Sequence, residues 1–192
     1  PGDHSFVIEG MNERGAAPNT LGMWTATAFP FSNTAQRDPI SGRTDGLLDN
    51  DHARQNQPKM FFTNTSIEYW GGGRSAALIH TSSDGSRDLP IPENTRIYFL
   101  TGAQHSPARF PTRVANGQQP DNALEYVWTM RALLVAMENW VRNGTPPPVS
   151  QYPRIEDHTL VAVDRVHFPA IPGVQSPRTI PPARQGTRQL PL

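Results

Sequence analysis

The sequence predicts an α/β fold, and three observations carry that prediction. Two continuous apolar runs, "PKMFFTNT" at Pro58–Thr65 and "TRIYFLTG" at Thr95–Gly102, have the length and aromatic or branched content of strands buried on both faces. A Gly-led, Ala/Leu/Ile-rich segment between them, "GGGRSAALIHT" at Gly71–Thr81, fits a short helix. The stretch from Asn122 to Gly144 then carries the clearest helical periodicity in the chain. Strands separated by helices pair in parallel through right-handed crossovers. A two-strand parallel sheet cannot bury both of its faces, so the pattern reads as one end of a larger α/β sheet.

Residues 1–58 show little regular periodicity. "SFVIEG" at Ser5–Gly10 fits a short strand, and "LGMWTATAFPF" at Leu21–Phe31 is an irregular segment bearing aromatics. "RDPISGRTDG" at Arg37–Gly46 is dense in turn formers, so the region reads as connection, placed to cover a cleft. The first strand follows at Pro58. The short helix ends in the "SSDGS" turn at Ser82–Ser86, and the second strand begins at Thr95.

In the long helix, Leu124, Val127, Trp128, Arg131, Leu134, Val135, Glu138 and Val141 recur at intervals of three and four. Leu124, Trp128, Leu134 and Val141 are therefore expected to cover the sheet. Asn122 and Glu125 stand at capping-box spacing, and Gly144 followed by Pro146, Pro147 and Pro148 is a stop signal. Such a helix is roughly 30 Å long, enough to cross a sheet. Beyond it, "TLVAVDRVHF" at Thr159–Phe168 reads as extended, and the Pro- and Arg-rich chain from Pro169 as a surface-following tail.

Composition narrows the function classes. The 192 residues carry no net charge, Lys59 is the sole lysine, and there is no basic tract, which argues against nucleic acid as the main partner. No segment approaches the ~18 consecutive apolar residues of a membrane span. The absence of cysteine excludes disulfides, thiol catalysis and thiolate metal sites. The six histidines show no metal-binding spacing, and "DNDH" at Asp49–His52 and "DGSRD" at Asp84–Asp88 lack the full calcium-loop pattern, so neither metal nor cofactor is expected. Of two glycosylation sequons, at Asn64 and Asn143, the first falls at a buried strand end.

Ligands of open α/β sheets bind at the carboxyl ends of the strands. Glu68 follows the first strand and His105 the second. If the strands are neighbours, both side chains leave the same edge of the sheet, where a carboxylate can fix the tautomer of a histidine ring. Spacing alone favours an ordinary loop pair, with Glu68 solvated and His105 packing or capping. An activated serine usually sits in G-x-S-x-G. The nearest match, "GRSAA" at Gly73–Ala77, lacks the last glycine, so Ser75 reads as helix surface. Ser66 and Ser106 stand near the pair without elbow chemistry around them.

The blocks "FPFSNTAQRDPISGRTDGLL", "PKMFFTNTSIEYWGGGRSAALIHTSSDGSRDLPIPENTRIYFLTGAQH", "RALLVAMENWVRNGTPPPVSQYPRI" and "FPAIPGV" resemble the C-terminal part of a bacterial alpha/beta-hydrolase-domain family, over Phe29–Val174. The resemblance implies a three-layer, mostly parallel sheet with the triad order serine, acid, histidine. Glu68 becomes the triad acid and His105 the base, Asn122–Asn143 the final helix, and Trp24, Tyr69 and Trp70 candidate pocket walls. It implies that residues 1–174 are the C-terminal part of one such domain: a connecting, cap-like segment to residue 57, then the acid- and base-bearing strand–helix–strand–helix unit at 58–144. Residues 175–192 form the Pro/Arg-rich tail.

The serine elbow and oxyanion loop of such folds lie upstream of this part, so the nucleophile is expected outside this chain. The expected substrate is a small-molecule carboxylic ester, hydrolysed by a serine hydrolase. A binding or scaffold domain that keeps the fold without the reaction is the alternative.

Overall fold

The computed structural model describes residues 29–39, 41–49, 55–70, 76–114, 120–162 and 165–173. Its elements run β1 (Gln36–Arg37), β2 (Thr44–Asp45), β3 (Met60–Thr65), α1 (Ser66–Trp70), a 3-10 turn (Ala76–Ile79), β4 (Thr95–Leu100) and α2 (Val127–Asn143). β3 and β4 pair in parallel, from Met60 opposite Thr95 to Thr65 opposite Leu100. That is the pairing the two apolar runs predict. The Ser5–Gly10 segment lies outside the described residues.

Alternation along the strands builds two cores. On one face Phe62 and Ile97 pack with Tyr69, Ala76 and Ile79 from α1 and the 3-10 turn. On the other, Phe61 and Tyr98 pack with Leu133 and Trp140 of α2. The arrangement is three layers, helix, sheet and helix. β1 and β2 form a small antiparallel hairpin, bonded through Asn33 to the start of β4 and through Gln36 to the turn after the 3-10 segment. Asn33 Nδ2 donates to Thr95 Oγ1 (3.2 Å), and Gln36 Oε1 accepts from the Ser83 N–H (2.7 Å).

The face that α2 buries differs from the expected one. Leu124, Trp128, Leu134 and Val141 are exposed, Leu134 at 70%, while Leu133 and Trp140 are buried with Met137 beside them. Trp140 decides the matter by size: it stacks on Phe61 at 5.8 Å, and Lys59 and Arg96 lie against its ring. The helix also begins at Val127, five residues later than the sequence suggests. Asn122 does not cap it: its Oδ1 accepts the Leu124 N–H (2.8 Å) in a local turn ahead of the helix, and its side-chain amide donates to the Gly102 carbonyl (2.7 Å). Gly144, at φ +70°, ends it as expected.

We therefore expect Leu133→Ala to cost about 2–5 kcal/mol, as a buried leucine does. Leu134→Ala, one residue away, should stay within about 0.5 kcal/mol. Urea unfolding of the two variants checks the facing, and equal losses would refute it.

After α2 the chain turns back along β4. Gln151 exchanges backbone bonds with it, its N–H to Ile97 O (2.8 Å) and its carbonyl to Phe99 N–H (2.7 Å). This Pro-flanked segment covers the outer edge of β4 and blunts it as a template for further pairing. The described residues of Thr159–Phe168, expected to be extended, are not part of a sheet.

Candidate active site

β3 and β4 end side by side, and each is followed at once by polar chain. Thr65–Glu68 reads T-S-I-E, the spacing at which a glutamate reaches back to the N-terminus of its own helix. In α1 it does so. Glu68 Oε2 accepts the Thr65 N–H (2.7 Å) and a short bond from the Thr65 hydroxyl. This capping signature explains why Glu68 has one defined position although it lies in a helix of only five residues.

The second oxygen of the same carboxylate, Oε1, lies 2.8 Å from His105 Nδ1. The two residues the sequence places at one sheet edge are thus in direct contact, in a carboxylate that is 1% exposed. Burial alone would raise the Glu68 carboxyl. The hydroxyl of Thr65, the His105 ring and the Thr65 N–H together outweigh it and hold the group below its ordinary value. An ionised carboxylate can only accept, so Nδ1 carries the proton of the bond, and the lone pair of the neutral ring lies on Nε2.

The loop that carries His105 turns at Gly102, at φ +77°, a conformation that favours glycine. Ser66 stitches this loop to the acid's helix: its Oγ accepts the Gly102 N–H (2.8 Å), and its own N–H donates to Ala103 O (3.1 Å). The hydroxyl of Ser66 therefore serves the backbone. Tyr126, just before α2, donates from its hydroxyl to the His105 carbonyl (2.5 Å). Sequence reasoning missed Tyr126 and Thr65; the T-x-x-E spacing could have pointed to Thr65, whereas the bond from Tyr126 spans 21 residues and leaves no local signal.

The other acids are engaged elsewhere. Asp45 pairs with Arg43, Asp84 with Ser82 and Ser86, and Asp88 accepts the N–H groups of Ile155 and Glu156. Tyr69 is buried in the core against Phe99, with its hydroxyl 3.0 Å from His80 Nε2. His80 is fully buried, and burial holds its ring down to about 4, so it stays neutral as a packing residue. Trp70 is the last residue of α1, and Trp24 and Ser75 lie outside the described residues.

Among the described residues no three of His, Asp or Glu come together as a metal site, and no helix is long and apolar enough to cross a membrane. An apolar groove of about 380 Å³ runs between β3 and α2, lined by Met60, Phe61, Met130, Leu133, Leu134 and Met137. Neither Glu68 nor His105 lines it.

Comparison with known families gives one finding. Residues 7–187 match the family described as Alpha/beta hydrolase domain, a span that extends past both ends of Phe29–Val174. Searches of curated proteins and of solved structures found no match.

Proposed function

This chain belongs to the alpha/beta hydrolase domain family, and from that premise we propose that it is the acid- and base-bearing part of a serine hydrolase acting on carboxylic esters. The observation that carries the reading is the 2.8 Å contact between His105 Nδ1 and the buried Glu68 carboxylate, at the carboxyl ends of two parallel strands. A serine from outside this chain attacks the ester carbonyl, and its hydroxyl proton moves to His105 Nε2. The imidazolium so formed is stabilised by Glu68, whose charge the Thr65 N–H and hydroxyl hold in place. As the tetrahedral intermediate collapses, the bond to the alkoxy oxygen breaks and Nε2 returns its proton to the departing alcohol. A water molecule repeats the cycle on the acyl-serine, releasing the acid. In this reading residues 1–174 are the C-terminal part of the domain, and the oxyanion donors come with the serine.

An organophosphonate probe tests the proposal on the intact protein. We expect one stoichiometric serine adduct by mass spectrometry, suppressed when the probe competes with an activated ester. An adduct on Ser66 or Ser75 would place the nucleophile within this chain and overturn its assignment outside it. Absence of labelling would favour a binding domain that keeps the fold without the reaction.

A further inference from the structure

His105 sits in a loop without regular secondary structure, yet a proton-transfer group must be held to within a fraction of an ångström. Its ring is fixed at one end by Glu68, but a ring bond does not set the course of the backbone that carries it. Two residues ahead of α2 do. Tyr126 Oη donates to the carbonyl of His105 itself (2.5 Å). Asn122 spans the loop: its side-chain amide donates to Gly102 O (2.7 Å), and its backbone carbonyl accepts the Ala108 N–H (2.8 Å) and Gln104 Nε2 (3.0 Å). Asn122 is itself pinned, since its Oδ1 accepts the Leu124 N–H (2.8 Å).

The loop is therefore clamped before, at and after His105, at Gly102, at its own carbonyl and at Ala108. The clamp is anchored on α2, which is fixed to the sheet through Trp140 and Leu133. We propose that Tyr126 is a positioning residue for His105, acting with Asn122 to transmit the rigid seating of α2 to the ring's contact with Glu68. The proposal rests on the reading of His105 as the base, and adds the device that aims it. It also accounts for the late start of α2. Asn122 and Tyr126 are kept out of the helix, where the Asn122 side chain and carbonyl and the Tyr126 hydroxyl reach the loop instead.

The test reads the ring proton directly. In proton NMR of the whole chain, the Nδ1–H held between His105 and Glu68 should give a downfield resonance, assigned by its loss in His105→Gln. Tyr126→Phe keeps the ring and removes one hydrogen bond. It should speed solvent exchange of that proton about fivefold to tenfold, while the amide protons of β3 and β4 keep their rates. Asn122→Ala should act in the same direction, and it takes the place of Tyr126→Phe should that variant not fold. In the intact hydrolase Tyr126→Phe should lower kcat about tenfold or more and leave KM unchanged.

An unchanged ring-proton exchange rate would overturn the positioning role. So would uniform acceleration across the β3 and β4 amides, which marks general loosening. A protein that no organophosphonate labels would overturn the hydrolase reading alone, because the ring-proton measurement needs no nucleophile.

Discussion

Replacing His105 with alanine in the intact protein is expected to lower kcat on an activated ester by about 10⁵-fold, or ~7 kcal/mol of transition-state stabilisation. KM should change little, because the imidazole acts on a proton that moves only in the reaction. The size follows from the unit the histidine completes. In the proposed mechanism, loss of Nε2 leaves the serine hydroxyl without an acceptor, the leaving alcohol without a donor, and the Glu68 charge with nothing to stabilise. What remains is catalysis by the oxyanion site and by binding.

The fold should survive the change. The His105 side chain is 38% exposed, whereas the Glu68 side chain it leaves is nearly buried and keeps both bonds from Thr65. A loss of about 1–3 kcal/mol is expected from weakening a hydrogen bond to a buried charge. Steady-state kinetics with a thermal melt of the same sample separate the two effects. Near-normal turnover in a folded His105→Ala variant would remove this histidine from the reaction.

The parts of this structure that were legible in the sequence are those decided locally. Met60–Thr65 and Thr95–Leu100 are short apolar runs without competing signals, and two such runs separated by helix-forming chain can hardly pair otherwise than in parallel. Once parallel, they bring Glu68 and His105 to one edge. The facing of α2 was harder to read, because the helix offers two apolar stripes. One contains Leu124, Trp128, Leu134 and Val141, and the other Met130, Leu133, Met137 and Trp140. Counting favours the first, which Val127 and Val135 extend; the sheet selects the second, where Trp140 fills the space above Phe61.

The start of α2 was hard to read for a related reason. Asn122 has the right spacing for a cap, but a distant group intervenes: the Gly102 carbonyl accepts its side-chain amide and ties the residue to the His105 loop. Tyr69 shows the same limit, since its packing against Phe99 and its bond to His80 are contacts with residues distant in sequence.

Glu68→Gln should be almost as damaging as loss of the histidine, with kcat lowered by about 10³–10⁴-fold, and the cause is more than a lost charge. The Thr65 N–H is a donor that must keep an acceptor, so the amide oxygen of the substituted side chain takes the place of Oε2. Its NH₂ then faces His105 Nδ1 and can only donate to it. The ring must move its proton to Nε2, the nitrogen that receives the serine proton in the proposed mechanism. The variant would keep its fold and hold its base in the wrong tautomer.

The pH dependence of stability supplies an independent check. A carboxyl held below its ordinary value of 4.5 contributes stability that is complete above that value and lost as pH falls through the folded one. Neutral, buried His80 acts in a different window: between about 6.5 and about 4 the unfolded chain takes a proton that the folded chain refuses, so stability falls on acidification there too. Glu68→Gln should leave the His80 slope intact and make the slope below 4.5 shallower. It should not abolish that lower slope, because Asp84 and Asp157 are also held low by hydrogen bonds. Urea midpoints across this range, read beside kcat, test both halves. A Glu68→Gln variant within tenfold of the parent's kcat would show that the carboxylate does not set the tautomer of His105.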